Sequence, residues 1–225
     1  GVPFHALRSA TGHLVDDYRV SVAPSAALGV ARSLAARSVE REPLIVGVPD
    51  HAAPSIAAEV NAVAALWPNA TVLRDADATA EAFLEAAPRA RLLHLACHGQ
   101  FRADNPSFSS LELADGALTL LDAQRLPVAG MLVALSACET GLSHVAPGDE
   151  LLGLVRGFLL AGAPTVLASL WMVDDASTAR LMRSFYSRLG AGERPAAALR
   201  AAQLEQALAG AHPFHWAAFA LHGQA

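Results

Sequence analysis

The chain has 225 residues, 53% hydrophobic and 16% charged, so it can bury one sizeable core and lacks the composition of a disordered chain. A net charge of −5, with scattered and mostly arginine basic residues, gives no electrostatic reason to expect nucleic acid or an anionic membrane. No apolar stretch reaches the ~18 residues of a membrane span, no secretory leader is visible, and two cysteines form no disulfide framework, which points to a reducing cytoplasm.

The chain opens at Gly1 directly into Val2-Pro3-Phe4, and we read residues 1–225 as a single domain excised from a longer protein. Tyr18 to Val22 reads as an extra strand and Ser25 to Ala36 as a helix, although the first 40 residues show the least regular pattern. From there strand and helix signals alternate. Leu44 to Val48 is a strand turned by Pro49-Asp50, and Ser55 to Leu66 is a helix with Ser55 as its cap. Thr71 to Leu73 is a short strand, Thr79 to Ala87 a helix closed by Pro88, and Arg91 to Cys97 a buried strand.

Residues 99–116 are polar and read as a loop with a small hairpin, Leu111 to Leu113 turning at Asp115-Gly116 into Leu118 to Leu120. Asp122 caps a short helix before Pro127. The apolar run from Met131 is a strand leading to Cys138. Asp149 or Gly148 starts a helix ending near Gly162, and Pro164 to Leu170 is another buried strand. Asp174 to Leu189 and Pro195 to Leu208 are helices, and Trp216 to Leu221 closes the chain as a strand. This alternation argues for a mostly parallel central sheet between two helical layers, an α/β/α sandwich.

Two strand ends carry reactive side chains. One run reads Arg91-Leu-Leu-His-Leu-Ala-Cys-His98-Gly99; the other reads Met131-Leu-Val-Ala-Leu-Ser-Ala-Cys138-Glu-Thr-Gly141. If these strands are parallel neighbours, imidazole and thiol emerge on the sheet edge where open α/β folds place ligands. A thiol beside an imidazole can act as a nucleophile, through proton transfer or a thiol pKa lowered by imidazolium. Gly99 and Cys138 could each aim a backbone N–H at an oxyanion, and Gly99 would let substrate approach. The competing reading makes Cys138 a buried small hydrophobe and His98 a satisfied strand-end residue; spacing alone leaves both open.

Other residues have plainer readings. Cys97 and His94 are core strand residues, the latter with a hydrogen-bond partner. A zinc site from Cys97, His98, Cys138 and His144 lacks ligand spacing, so no metal is expected. Ser136 has no Gly-x-Ser-x-Gly elbow, and no glycine-rich loop cradles a phosphate. His215 at the start of the last strand is explained by packing.

The wording around these residues resembles the CHAT domain. The resemblance is carried by His94-Leu-Ala-Cys-His98-Gly99, Leu135-Ser-Ala-Cys138-Glu-Thr-Gly141, Gly148 to Phe158, Ala161 to Trp171, Phe185-Tyr186, Ala197 to Gln203 and His215 to Phe219, in that order, with Val2 to Leu7 and Pro24 to Ala26 upstream. A strand that usually precedes the family's Pro-Phe element is absent. CHAT domains are caspase- and separase-like cysteine peptidases, often joined to tetratricopeptide repeats in bacterial proteins.

The resemblance implies a caspase-like fold with Cys138 as nucleophile, His98 as general base or acid, and Gly99 and Cys138 as oxyanion-hole amides. The substrate would be a protein or peptide, no cofactor is implied, and a tetratricopeptide-repeat region or regulatory partner would control signalling output. Asp149 is either a helix cap or an acidic pocket group selecting a basic side chain before the cleaved bond, as separase-like relatives do. Trp171 is either a wall of that pocket or core. A catalytically silent scaffold or signalling module is the alternative reading, and a small-molecule hydrolase or nucleotide-binding domain a third.

Overall fold

Apolar residues of the central strands alternate between two faces, and a separate set of helices covers each face. The computed structural model describes residues 2–10, 12–23, 42–49, 51, 54–100, 109–126, 128–137, 149–171 and 173–224. The helix expected over Ser25 to Ala36, the turn at Asp50, and Cys138 lie outside the described residues.

A 3-10 turn at Phe4–Ala6 leads to α1 (Leu14–Asp17) and the two-residue strand β1 (Ser21–Val22). Then follow β2 (Glu42–Gly47), α2 (Ser55–Ala64), β3 (Thr71–Arg74), α3 (Ala80–Ala86) and β4 (Ala90–Ala96). A small three-stranded sheet comes next, from β5 (Gly99–Gln100), β6 (Ser110–Leu113) and β7 (Gly116–Thr119). The remaining elements are α4 (Leu120–Arg125), β8 (Leu132–Ala137), α5 (Asp149–Leu160), β9 (Thr165–Ser169), α6 (Asp175–Gly190), α7 (Pro195–Leu208), α8 (Pro213–Trp216) and β10 (Phe219–Gly223).

The main sheet has seven strands in the order β1-β10-β9-β8-β4-β2-β3. All neighbours are parallel except β10 and β9. Val46, Leu93, Leu95, Val133 and Val166 point to one face, packed by Phe83 of α3, Leu111 and Leu118 of the small sheet, and Phe158 of α5. Ile45, Leu92, Ala134 and Leu167 point to the other, under Ile56 and Val60 of α2, Phe185 of α6, Leu199 of α7 and Trp216. Gly47 allows α2 to lie close on β2, because a Cβ there would collide with the Val60 side chain. The three-layer sandwich and its mostly parallel sheet agree with the sequence pattern.

Several local expectations are corrected. Ser55 does not cap α2: Pro54 holds that position, its backbone already in the helical region, with no side-chain cap. In α4 the cap is Thr119, and Asp122 is its reciprocal partner. Asp122 Oδ2 accepts from the Thr119 N–H at 3.1 Å, and the Asp122 N–H donates to Thr119 Oγ1 at 3.3 Å. Trp216 ends a helical turn rather than opening a strand, since Pro213 presets φ and the His212 ring accepts from the Phe214 N–H at 3.2 Å. The hairpin is present as β6 and β7, with β5 added to it.

Candidate active site

Strands β4 and β8 are adjacent and parallel, so their carboxyl ends open on one edge of the sheet. His98 stands two residues beyond the end of β4, half-buried, and β8 ends at Ala137, the residue before Cys138. His98 and the carboxyl end of β8 therefore lie at the same edge of the sheet.

Gly99 opens β5, facing Leu111 of β6. The Glu112 N–H donates to the His98 carbonyl at 2.8 Å, which makes Gly99–Leu111 a non-hydrogen-bonded pair. The ladder thus leaves the Gly99 N–H directed away from β6. A Cβ on Gly99 would meet Leu154 at 3.6 Å and Leu111 at 3.8 Å, ordinary contacts toward the core. Close substrate approach is therefore not what a missing side chain provides here.

Behind this edge lies a polar cluster that the sequence reading did not assemble. Ser136 donates from its hydroxyl to the carboxylate of Glu59 on α2. His94 is wholly buried, with Nε2 3.6 Å from Glu59 Oε1 and Nδ1 2.7 Å from the Tyr186 hydroxyl. Burial pushes the His94 pKa down to about 4. Burial first, and the Glu59 charge second, raise Tyr186 well above the usual phenol range. With the ring proton assigned to Nε2, that N–H turns toward the carboxylate, beyond hydrogen-bond distance at 3.6 Å, and Nδ1 can accept from the Tyr186 hydroxyl.

The expected partner for His94 is thus present, and the Ser136 hydroxyl is engaged elsewhere than in nucleophilic chemistry. A signal for Glu59 did exist. It shares the helix face of Ile56, Val60 and Val63, where a charge is out of place. Cys97 is fully buried among apolar neighbours, as expected of a core residue.

On the other side of β8, Trp171 follows β9 at the same edge. Its indole N–H donates to the Phe214 carbonyl at 2.9 Å, and the two rings stack with centroids 6.1 Å apart. Phe214 belongs to α8 and is 49% exposed, a surface aromatic that the sequence reading missed. Beside it, Asp174 caps α6 by accepting the Ser177 N–H at 3.0 Å. Asp174 also accepts from His215 Nδ1 at 2.7 Å. Slight burial works against ionisation of Asp174, but Ser177 and His215 outweigh it and hold the carboxyl below its usual value. His215 is therefore a partly exposed helix residue with an ionic partner, not a packed strand residue. Asp149 is the first residue of α5.

The CHAT domain family model matches residues 1–224. The chain is 38% identical over 130 residues to tetratricopeptide repeat protein 28 of Homo sapiens, covering 57% of this chain and 5% of that protein. It is 37% identical over 108 residues to the Mus musculus protein of the same name, covering 47% of this chain and 4% of that one. The chain thus spans a small part of the length of these relatives.

Among solved structures, the fold is similar to separase in the Saccharomyces cerevisiae separase–securin complex, with TM-score 0.63 and 14% identity over 92% of this chain and 14% of that one. It is also similar to the Arg specific cysteine proteinase gingipain R, with TM-score 0.55 and 13% identity over 81% of this chain and 46% of that one. These likenesses establish a caspase-like fold.

Proposed function

The chain belongs to the CHAT domain family, and from that premise we propose that it is a cysteine endopeptidase working through a Cys138–His98 dyad. The observation that supports the reading is the parallel pairing of β4 with β8, whose carboxyl ends open on one sheet edge, with His98 just beyond the first strand and Cys138 next in sequence after the second. In this reading His98 takes the thiol proton, the thiolate attacks the scissile carbonyl, and backbone N–H groups of Gly99 and Cys138 hold the oxyanion. His98 then protonates the leaving amine, and water hydrolyses the thioester.

The substrate is an extended protein segment cut after a basic residue. Asp149 supplies the acidic group, at the start of the helix that follows the nucleophile, and Trp171 supplies an apolar wall for the stem of the long side chain. The similarity in fold to a proteinase described as Arg specific supports this preference. The sequence relatives are tetratricopeptide repeat proteins, which supports control by an attached repeat region or a regulatory partner.

The test is a fluorogenic peptide panel varying the residue before the cleaved bond, assayed with the wild type, Cys138→Ala and Asp149→Ala. Thiol-dependent cleavage after Arg or Lys is expected, abolished by the first substitution and stripped of its basic preference by the second. Cleavage that survives Cys138→Ala would overturn the dyad. Silence of the wild type, even with its partner and flanking region present, would favour a scaffold.

A further inference from the structure

Over the last step of their pairing, β8 carries one residue more than β4. Leu95 faces Leu135 and Ala96 faces Ala137, so Ser136 bulges from the ladder. A bulge bends its strand and re-aims the chain that follows, and Cys138 follows two residues later. The bulged residue is gripped from the helical layer, its hydroxyl donating to Glu59. Glu59 is only 8% exposed, on the face of α2 that carries Ile56, Val60 and Val63 into the core.

Packing does not ask for a carboxylate there. An apolar side chain would fill the place without the penalty of desolvating a charge. The carboxylate is nevertheless flanked by His94 at 3.6 Å, which is itself fixed by Tyr186 at 2.7 Å. Polar groups from α2, β4, β8 and α6 therefore meet at the bulge.

Resting on the dyad reading above, we propose that Glu59 is a positioning residue for the nucleophile: it pins the Ser136 bulge and thereby fixes the path of the chain into Cys138. Glu59 touches neither substrate nor reacting atoms in this role. The His94 ring, itself fixed by the Tyr186 hydroxyl, lies 3.6 Å from the carboxylate, so the clamp sits against a fixed neighbour.

The experiment measures alkylation of Cys138 by iodoacetamide in the intact protein, by peptide mass spectrometry with buried Cys97 as internal control, alongside kcat and KM. Glu59→Gln weakens the acceptor, while Ser136→Thr and Ser136→Val are near-isosteric and differ in the hydroxyl alone. Expected in Glu59→Gln and Ser136→Val is a loss of about tenfold to a hundredfold in both Cys138 alkylation rate and kcat, with KM little changed. Ser136→Thr restores both.

Equal Cys138 reactivity in the Thr and Val variants would overturn the clamp, and that comparison stands even if Glu59→Gln fails to fold. A wild-type Cys138 no more reactive than a simple thiol would overturn the dyad reading and the clamp with it. A reactive wild-type thiol with unaffected variants would overturn the clamp alone.

Discussion

The indole N–H of Trp171 donates to the backbone carbonyl of Phe214 at 2.9 Å while their rings stack, so the segment after β9 and the short helix α8 share one aromatic pair at the sheet edge. Phe214→Ala removes the stack and leaves the carbonyl. Its cost in stability should be modest, about 0.5–1.5 kcal/mol beyond the lost area. If the pair contacts substrate, KM should rise severalfold with kcat nearly unchanged, and Trp171 should become easier to quench with acrylamide. Unchanged KM and quenching would remove Phe214 from the site.

Gly99 provides a separable test of its amide. Gly99→Ala should fold normally, within about 0.5 kcal/mol of wild type, because the new methyl makes only ordinary contacts at 3.6–3.8 Å. Gly99→Pro deletes an N–H that the β5–β6 ladder does not use. If that N–H stabilises an oxyanion, kcat should fall by about 10²–10³ in the proline variant alone. Full activity in a folded Gly99→Pro protein would exclude this donor.

Acid sensitivity follows from two buried imidazoles. Burial lowers both His94 and His222 to about 4, below the value of about 6.5 they have unfolded. The unfolded chain therefore binds protons first, so stability is full above about pH 6.5 and falls as pH drops toward 4. Each group contributes up to about 3 kcal/mol to that decline. His5 is also lowered by burial, partly offset by its bond to the Ala217 carbonyl, and acts in the same direction.

Neither ring nitrogen of His222 finds a hydrogen-bond partner among the described residues. His222→Leu should accordingly raise the urea midpoint at pH 7 and flatten the loss between pH 6.5 and 4. A steeper acid limb in that variant would contradict the assignment.

Tyr186→Phe tests the buried cluster through stability. It keeps the aromatic packing with Phe185, whose ring centroid is 5.2 Å away, but strips the partner from His94 Nδ1. Leaving a buried acceptor unsatisfied should cost about 1–3 kcal/mol in urea unfolding. A neutral outcome would mean that water or a ring flip satisfies His94.

The parallel sheet, its helical layers and the edge where His98 emerges were legible because hydrophobic periodicity and strand-end residues are local signals. Leu92 to Ala96 and Val133 to Leu135 read as buried strands whatever surrounds them. Boundaries failed where a neighbouring cap or proline decided the matter, as at Ser55, Asp122 and Trp216.

By itself, the sequence determined the order of elements, the family resemblance and the candidate dyad, since these depend on residue identity and spacing along the chain. Tertiary structure alone decided that Glu59 meets Ser136, 77 positions away, and that Trp171 meets Phe214, 43 positions away. It also decided that β8 bulges at Ser136. Strand register and helix placement are set by how whole layers pack, and no local pattern encodes a contact between residues so far apart in the chain.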